Sequence, residues 1–448
     1  MPILRGAGAA AIVAGMDHAA LLAGSGSLVA AVIGVGEFGA SFIYRSSRVP
    51  GLRVAAAVDA DPARAVRAAR DAGIPAERIA PCRDLAEARK AFASGEFVVA
   101  PNVAVACALG IDFVVEATGS PEAGARTALA AIGAGKHVAM VSKECDSAVG
   151  VILQAKAAEA GLVYTAVDGD QPSLLVGLVT WARTLGLEIL CAGKASEFDF
   201  VSEGDEQWNS TVSDRDRFWT ARPRRTPPDL CELCIVANAT GLKPDTPRLH
   251  APVARTLELP ELFRPADEGG LLSGLGRLDM FNCFRRPDEA SFAGGVFVTV
   301  RCDDAATWSL LKGKGIPSSA DGRVAMLHNP VHLLGIEAPI TLLQALALRQ
   351  PAAKLAPRCD LVARAVSPLA AGTVLAMGER HAVTGVEPEL ADAAPARGEH
   401  PVPYYLAAGC RLRADVPAGA LITREMLEAP LDSVLWRLRD EQDAKFFP

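Results

Sequence analysis

The feature that most constrains this chain is a glycine run set between a short apolar strand and a helix. Leu28 to Ile33 is apolar and compact, and Gly34-Val35-Gly36-Glu37-Phe38-Gly39 follows it directly and opens a helical stretch that carries Phe42 and Tyr44. Each glycine answers a separate physical demand. Gly34 permits a tight turn, Gly36 removes a side chain where a pyrophosphate must approach backbone, and Gly39 lets helix and strand pack closely. The helix N-terminus then presents unpaired N–H groups and a positive dipole end to the phosphates. Glu37 and Phe38 fill the remaining positions of the same loop.

A second strand, Leu52 to Val58, ends on Asp59 at the spacing such a unit requires. A carboxylate there accepts from the adenosine ribose hydroxyls and repels an added 2′-phosphate, so NAD is favoured over NADP. Arg64 is read as a solvated helix residue rather than a 2′-phosphate partner.

From Leu28 to about Ala166, β-branched runs alternate with Ala-rich helical stretches, the pattern of a parallel sheet covered on both faces. Further strands are expected at Phe113 to Ala117, His137 to Val141 and Leu162 to Val167, with helices at Asp61 to Ala72, Pro121 to Gly133 and Ser147 to Ala160. Two more strand ends, Ala117-Thr118-Gly119 and Met140-Val141-Ser142-Lys143, point into the same crevice. Thr118, Gly119 and Ser142 are expected to line the nicotinamide side, and Lys143 is the first cation able to reach reacting groups.

The fold class expected is α/β: an N-terminal Rossmann domain with a doubly wound parallel sheet over 1–167, including a leader helix, a central α+β substrate domain over 168–353, and a small β-rich C-terminal domain over 354–448. The last part carries a weak internal repeat, Ser367 to Leu375 against Ala414 to Leu421. Net charge is only -7, with 45 basic and 52 acidic residues intermixed, so no basic face for nucleic acid stands out. Ten scattered cysteines suit a reducing, cytoplasmic setting. Cys231 and Cys234 form a single Cys-x-x-Cys without the second pair of a four-thiolate site, so no metal is expected and no membrane span is seen.

Several blocks resemble known proteins. Val114-Val115-Glu116-Ala117-Thr118-Gly119, with Ala134 to Val138 and Ser142-Lys143, is similar to the nucleotide domain of homoserine dehydrogenases. Gly169-Asp170-Gln171-Pro172, Trp181-Ala182-Arg183, Ala192-Gly193-Lys194, Ala237 to Leu242 and Pro330 to Glu337 resemble homoserine-dehydrogenase-like oxidoreductases with a C-terminal SAF domain, a family that includes the deoxyxylulose-phosphate reductoisomerase-like enzymes. The resemblance implies an NAD(P)-dependent enzyme, a homo-oligomer, and a SAF-like third domain. The chain departs from the reductoisomerase-like pattern at Ala195-Ser196-Glu197, Pro228 and Asn329, where that pattern has cations or a Gly-Thr-Lys run. Each departure removes a phosphate-binding group, so a non-phosphorylated small organic substrate is expected.

Oxidation of an alcohol needs a group that exchanges the hydroxyl proton and a donor that steadies negative charge on oxygen. Lys194, expected just beyond a short strand from Glu188 to Ala192 and in the cleft between cofactor and substrate domains, is the first candidate, followed by Lys143. Asp170 orients a hydroxyl or lysine, or else caps a helix; Asn238 and His332 are polar residues in apolar surroundings that need partners. Glu232 and Glu337 are expected behind these. Phe198, Phe200, Trp208, Phe218 and Trp219 concentrate aromatic rings, although aromatics make up only 5% of the chain, and suit either a hydrophobic contact or a pocket for an aromatic substrate. That cluster keeps two alternatives open: a lyase or isomerase that performs a retro-aldol step, such as formaldehyde release from an aromatic hydroxymethyl compound, and a non-catalytic NAD-sensing or assembly protein.

Overall fold

The structure, a computed structural model, describes residues 27–197, 225–284, 292, 294–302 and 304–448. The expected leader helix and the aromatic cluster from Phe198 to Trp219 lie outside the described residues. The chain divides into two compact units. One holds residues 27–173 together with 333–448, and the other holds 174–332.

The first unit is built on seven strands, β1 (Leu28–Ile33), β2 (Leu52–Val58), β3 (Ile79–Pro81), β4 (Phe97–Val99), β5 (Phe113–Glu116), β6 (His137–Met140) and β7 (Tyr164–Ala166). They pair in the order β3-β4-β2-β1-β5-β6-β7, every pair parallel. Helices α1 (Glu37–Ser46), α2 (Pro62–Asp71), α3 (Leu85–Ala93), α4 (Val103–Cys107), α5 (Pro121–Gly133) and α6 (Lys143–Glu159) connect them. The α/β, doubly wound reading therefore holds. β1 is almost wholly buried, and its small residues allow the helices close approach. Strand order reverses at β1, which lies between β2 and β5, so the carboxyl ends of β1 and β5 flank the switch point where crevices open in such sheets.

Local chemistry sets the helix starts. Asp61 accepts from Ala63 N–H ahead of Pro62, Asp84 accepts from Glu87 N–H, and Ser120 accepts from Ala123 N–H ahead of Pro121. Helix α6 begins one turn before the expected Ser147. Lys143, Glu144 and Asp146 form its first turn, and two carboxylates there favour the positive end of the helix.

The second unit contains a six-stranded sheet of β8 (Glu188–Glu197), β9 (Lys243–Pro244), β10 (Val253–Ala254), β11 (Arg277–Cys283), β12 (Val296–Arg301) and β13 (Val324–Asn329). Its path is β10-β11-β8-β12-β13, with β9 on β11; β8 is parallel to β11 and antiparallel to β12. Helix α7 (Gln171–Thr184) precedes it and α8 (Pro227–Thr240) packs within it. Strand β8 runs past the expected end at Ala192, because Gly193 is a sheet position: a Cβ there would stand 2.3 Å from the Asp279 carbonyl and 2.7 Å from the Phe297 ring. Lys194 is consequently inside a central strand and not beyond one, opposite Met280 and Val296.

The rest of the first unit comprises α9 (Ala338–Leu348), β14 (Cys359–Ala365), β15 (Val386–Asp392), β16 (Arg411–Leu412), β17 (Leu427–Glu428) and α10 (Val434–Phe446). β14 pairs with β15 and β16 with β17, both antiparallel. Residues expected as a C-terminal module thus share a compact unit with the parallel sheet. Within it, α10 lies on α6 and α5, and its fully buried Arg439 bonds Asp360 at 2.8 Å and Asp443 at 2.7 Å. Among the described residues no helix is long and apolar enough to cross a membrane, and no group of three or more His, Cys, Asp or Glu could hold a metal ion.

Candidate functional site

The glycine loop sits at the switch point. Gly34, with φ at +90°, donates to the Val58 carbonyl at 2.8 Å, and a Cβ on it would stand 2.6 Å from Ala117 backbone. A Cβ on Gly39 would come within 2.2 Å of the Gly34 carbonyl. Both are glycines that the fold itself demands. Gly36 differs: its backbone is extended, with φ −78°, and a Cβ there would meet nothing within 4 Å. It precedes α1 with no side chain capping the helix. Glu37 and Phe38 form the first turn of α1, and Phe38 packs against the core beneath the sheet.

Asp59 is half-buried at the end of β2. Its Oδ2 accepts from Val35 N–H at 2.6 Å and its Oδ1 from Asp61 N–H at 2.9 Å, which ties the loop to the second strand. Arg64 is exposed and its nearest acid is Asp61 at 3.9 Å.

On the other side of β1, Thr118, Gly119 and Ser142 lie together. Gly119 N–H donates to Ser142 Oγ at 2.8 Å, and Thr118 donates to Glu116 through its N–H at 3.1 Å and hydroxyl at 2.5 Å. Glu116 is completely buried at the end of β5, and burial pushes its carboxyl up to about 7 against the Thr118 bonds that oppose the rise. Lys143 Nζ contacts Asp170 Oδ1 at 3.3 Å, and the same oxygen accepts from Gln171 N–H at 3.0 Å. These two candidates, 27 residues apart in sequence, form one ion pair in which both side chains are largely covered.

His381 and Glu144 also belong here and went unpredicted. His381 Nδ1 lies 3.1 Å from Glu144 Oε1, and a Cβ on Gly119 would stand 2.8 Å from the His381 ring. Burial lowers the His381 pKa, as does the Lys143 charge, against the Gly119 hydrogen bond. Glu144 was open to inference as the neighbour of Lys143 at a strand end; His381 carried no local signal.

Lys194, Asn238 and His332 belong to the second unit. Lys194 is 4% exposed, held by Asp229 Oδ1 at 2.6 Å and by Glu232. Asp229 also accepts from Ser196 Oγ at 2.9 Å and from Thr226 N–H and Oγ1 at 2.8 and 2.6 Å, closing a capping box on α8. Burial works to raise the Asp229 pKa, but the Lys194 charge and the Lys194 and Thr226 hydrogen bonds outweigh it and hold the group at about 2. Thr226-Pro-Pro-Asp229 is a readable capping signature, so this partner of Lys194 was detectable. Glu232, expected behind the site, is a direct Lys194 partner. Asn238 is buried on α8 with its amide 3.9 Å from Cys234 Sγ, and His332 Nδ1 lies 2.9 Å from the Gly294 carbonyl. Glu337, in the first unit, accepts from Leu333 N–H at 3.0 Å.

Residues 169–338 match the family described as oxidoreductase DRL, catalytic domain. That match spans less than half of the chain, covers residues 174–332 of the second unit, and names no substrate. No curated protein matches the chain in sequence. Among solved structures, GenD2 from gentamicin A biosynthesis, in complex with NAD, is 22% identical over 38% of this chain and 43% of its own, with a TM-score of 0.27. The 1-deoxy-D-xylulose 5-phosphate reductoisomerase from Zymomonas mobilis, in complex with NADPH, is 21% identical over 38% and 46%, at 0.28. The putative oxidoreductase YvaA from Bacillus subtilis is 12% identical over 72% and 89%, at 0.36. The aligned part spans less than half of the first two proteins, and similarity of this order carries no argument about activity.

Proposed function

We propose that this chain is an NAD(P)-dependent oxidoreductase, with NAD favoured, that interconverts an alcohol and a carbonyl on a small, non-phosphorylated organic substrate. The observation that carries the reading is the contrast among the loop glycines. Gly34 and Gly39 are required by backbone contacts of the fold, whereas the Cβ position of Gly36 is open among the described residues, so the space beside it suits a ligand and not the packing. An uncapped helix start faces that space, which suits a pyrophosphate.

Gly36 and the first N–H groups of α1 would hold the pyrophosphate, and Asp59 the adenosine ribose. Thr118, Gly119 and Ser142 would line the nicotinamide end. When bound, the nicotinamide supplies hydride acceptance or donation. Lys143, paired with Asp170, would donate a hydrogen bond to a substrate oxygen that gains negative charge. In the second unit, Lys194 is paired with two carboxylates, and we assign it to substrate handling within the domain that matches the oxidoreductase family. Lys194→Arg keeps the charge and tests that role apart from stability.

The test is a panel of alcohols, aldehydes and ketones, aromatic ones included, incubated with NAD+ or NADH and followed at the nicotinamide absorbance band. One redox pair turning over with stoichiometric absorbance change is expected. Conversion without net nicotinamide change would replace the reading with the lyase or isomerase alternative.

A further inference from the structure

We propose that His381 is the proton-exchanging catalytic residue at the nicotinamide end of the crevice, beside the buried carboxylate of Glu144. The inference rests on the dinucleotide reading above and adds a residue from outside the parallel sheet. In a crevice that takes adenosine at β2 and pyrophosphate at the β1 loop, the nicotinamide falls over the carboxyl ends of β5 and β6. The His381 ring stands at that place, against Gly119 and near Lys143.

Three features argue for chemistry over filler. First, the chain holds His381 there in a left-handed conformation: Arg380 and His381 are consecutive non-glycine residues with φ of +51° and +58°, an arrangement that persists only where surroundings impose it and that concentrates at functional sites. Second, His381 Nδ1 lies 3.1 Å from the carboxylate of Glu144, whose side chain is 2% exposed, without a hydrogen bond between them, while the His381 side chain keeps 39% of its surface open. A buried carboxylate this close to one ring nitrogen favours the imidazolium that proton acceptance at Nε2 would form. Third, a lysine and aspartate pair beside it supplies a separate donor, so proton exchange and charge stabilisation need not fall on one group.

On oxidation of an alcohol, the O–H proton passes to Nε2 as the C=O bond forms, and the hydride leaves the same carbon with its electron pair for the oxidised nicotinamide. The imidazolium then releases its proton to solvent, and reduction runs in reverse. The charged groups facing the ring are Glu144 and Lys143 at the start of α6, with Asp170 on Lys143; Glu379 and Arg380 adjoin it in its own turn.

The test uses the full chain with NAD+ and NADH as probes and histidine NMR as the readout, the His381 resonance being assigned by its loss in His381→Asn. Asparagine tolerates the left-handed backbone and cannot exchange the proton. The cationic nicotinamide of NAD+ is expected to lower the His381 titration midpoint by about half a pH unit or more relative to NADH, as a like charge nearby must. His381→Asn should bind NADH within about threefold of the unaltered protein and, on the redox pair found by the panel, lose about a hundredfold in turnover, with added imidazole restoring part of it. Equal midpoints in NAD+ and NADH would overturn the proposal, as would tenfold tighter NADH binding by His381→Asn, which would make the ring a plug. Failure of the unaltered protein to bind either nucleotide is a different result, because it removes the dinucleotide reading first.

Discussion

Replacing Lys194 by methionine removes one charge from a buried trio and strands the other two. Methionine fills most of the lysine stem, so the cavity cost is small and the electrostatic loss dominates. Asp229 and Glu232 are each about 95% buried, and removal of the partner from a buried ion pair costs about 3 to 5 kcal/mol. Linkage gives a lower bound of the same order: holding Asp229 at about 2 instead of 3.8 is worth about 2 kcal/mol at neutral pH. Because the folded value is the depressed one, that stability is present above about pH 4 and is lost as pH falls through 2. In Lys194→Met, burial is opposed only by the Thr226 and Ser196 hydrogen bonds, the Asp229 pKa rises, and the deficit should be largest at pH 7 and shrink as pH falls. Scanning calorimetry should show the transition of the second unit lowered by roughly 6 to 20 °C at pH 7. Adding Asp229→Asn and Glu232→Gln, which keep the capping oxygen and remove both charges, should recover at least half of it. A melting point for Lys194→Met within 1 °C of the unaltered protein at pH 7 would refute the buried trio, whatever Lys194 contributes to turnover.

Further outcomes follow from the crevice. Glu116→Gln should gain stability selectively at high pH: with the folded carboxyl at about 7, ionisation disfavours the native state progressively above about pH 4.5 and fully above 7, so the variant should gain about 2 to 3 kcal/mol more at pH 8 than at pH 4 in urea titrations. An equal gain at both pH values would contradict the assigned burial effect. Gly39→Ala should destabilise the first unit by at least about 2 kcal/mol, because its Cβ would lie 2.2 Å from a backbone carbonyl; an unchanged urea midpoint would count against the loop geometry. Calorimetry should show NAD binding more tightly than NADP, with Asp59→Ala narrowing the gap; tighter NADP binding would shift attention to Arg64.

What the sequence made legible tracks how local each cause is. Strands β1, β2, β5 and β6 and the glycine loop were readable because strand, turn and helix signals lie side by side from Leu28 to Phe42. Strands β3 and β4 are three residues each, too short for periodicity to show, and they went unread. The two segments read as a C-terminal repeat meet through Leu369 and Val416 as an isolated bridge, and neither forms the regular strand expected of it. Gly193 read as a strand end because glycine usually breaks a strand, whereas here crowding by Asp279 and Phe297 makes it the residue that lets β8 continue. Lys143 and Asp170 were both identifiable, yet their pairing depends on where β6 and β7 end in space. His381 was invisible, since its meeting with Gly119 and Glu144 depends on tertiary structure and its left-handed turn contains no glycine.

The central claim, a dinucleotide seated on Gly36, is tested most directly by calorimetric titration of NADH and NAD+ into the full chain and its Gly36→Val variant. A Cβ at this position meets nothing within 4 Å, so the variant should melt within a few degrees of the parent, with at most about 1 kcal/mol lost at the helix cap. The account predicts saturable, one-to-one binding to the unaltered protein and at least about a hundredfold weaker binding to the variant. Equal affinity of the two folded proteins, or no binding of either nucleotide to the unaltered chain, would contradict it.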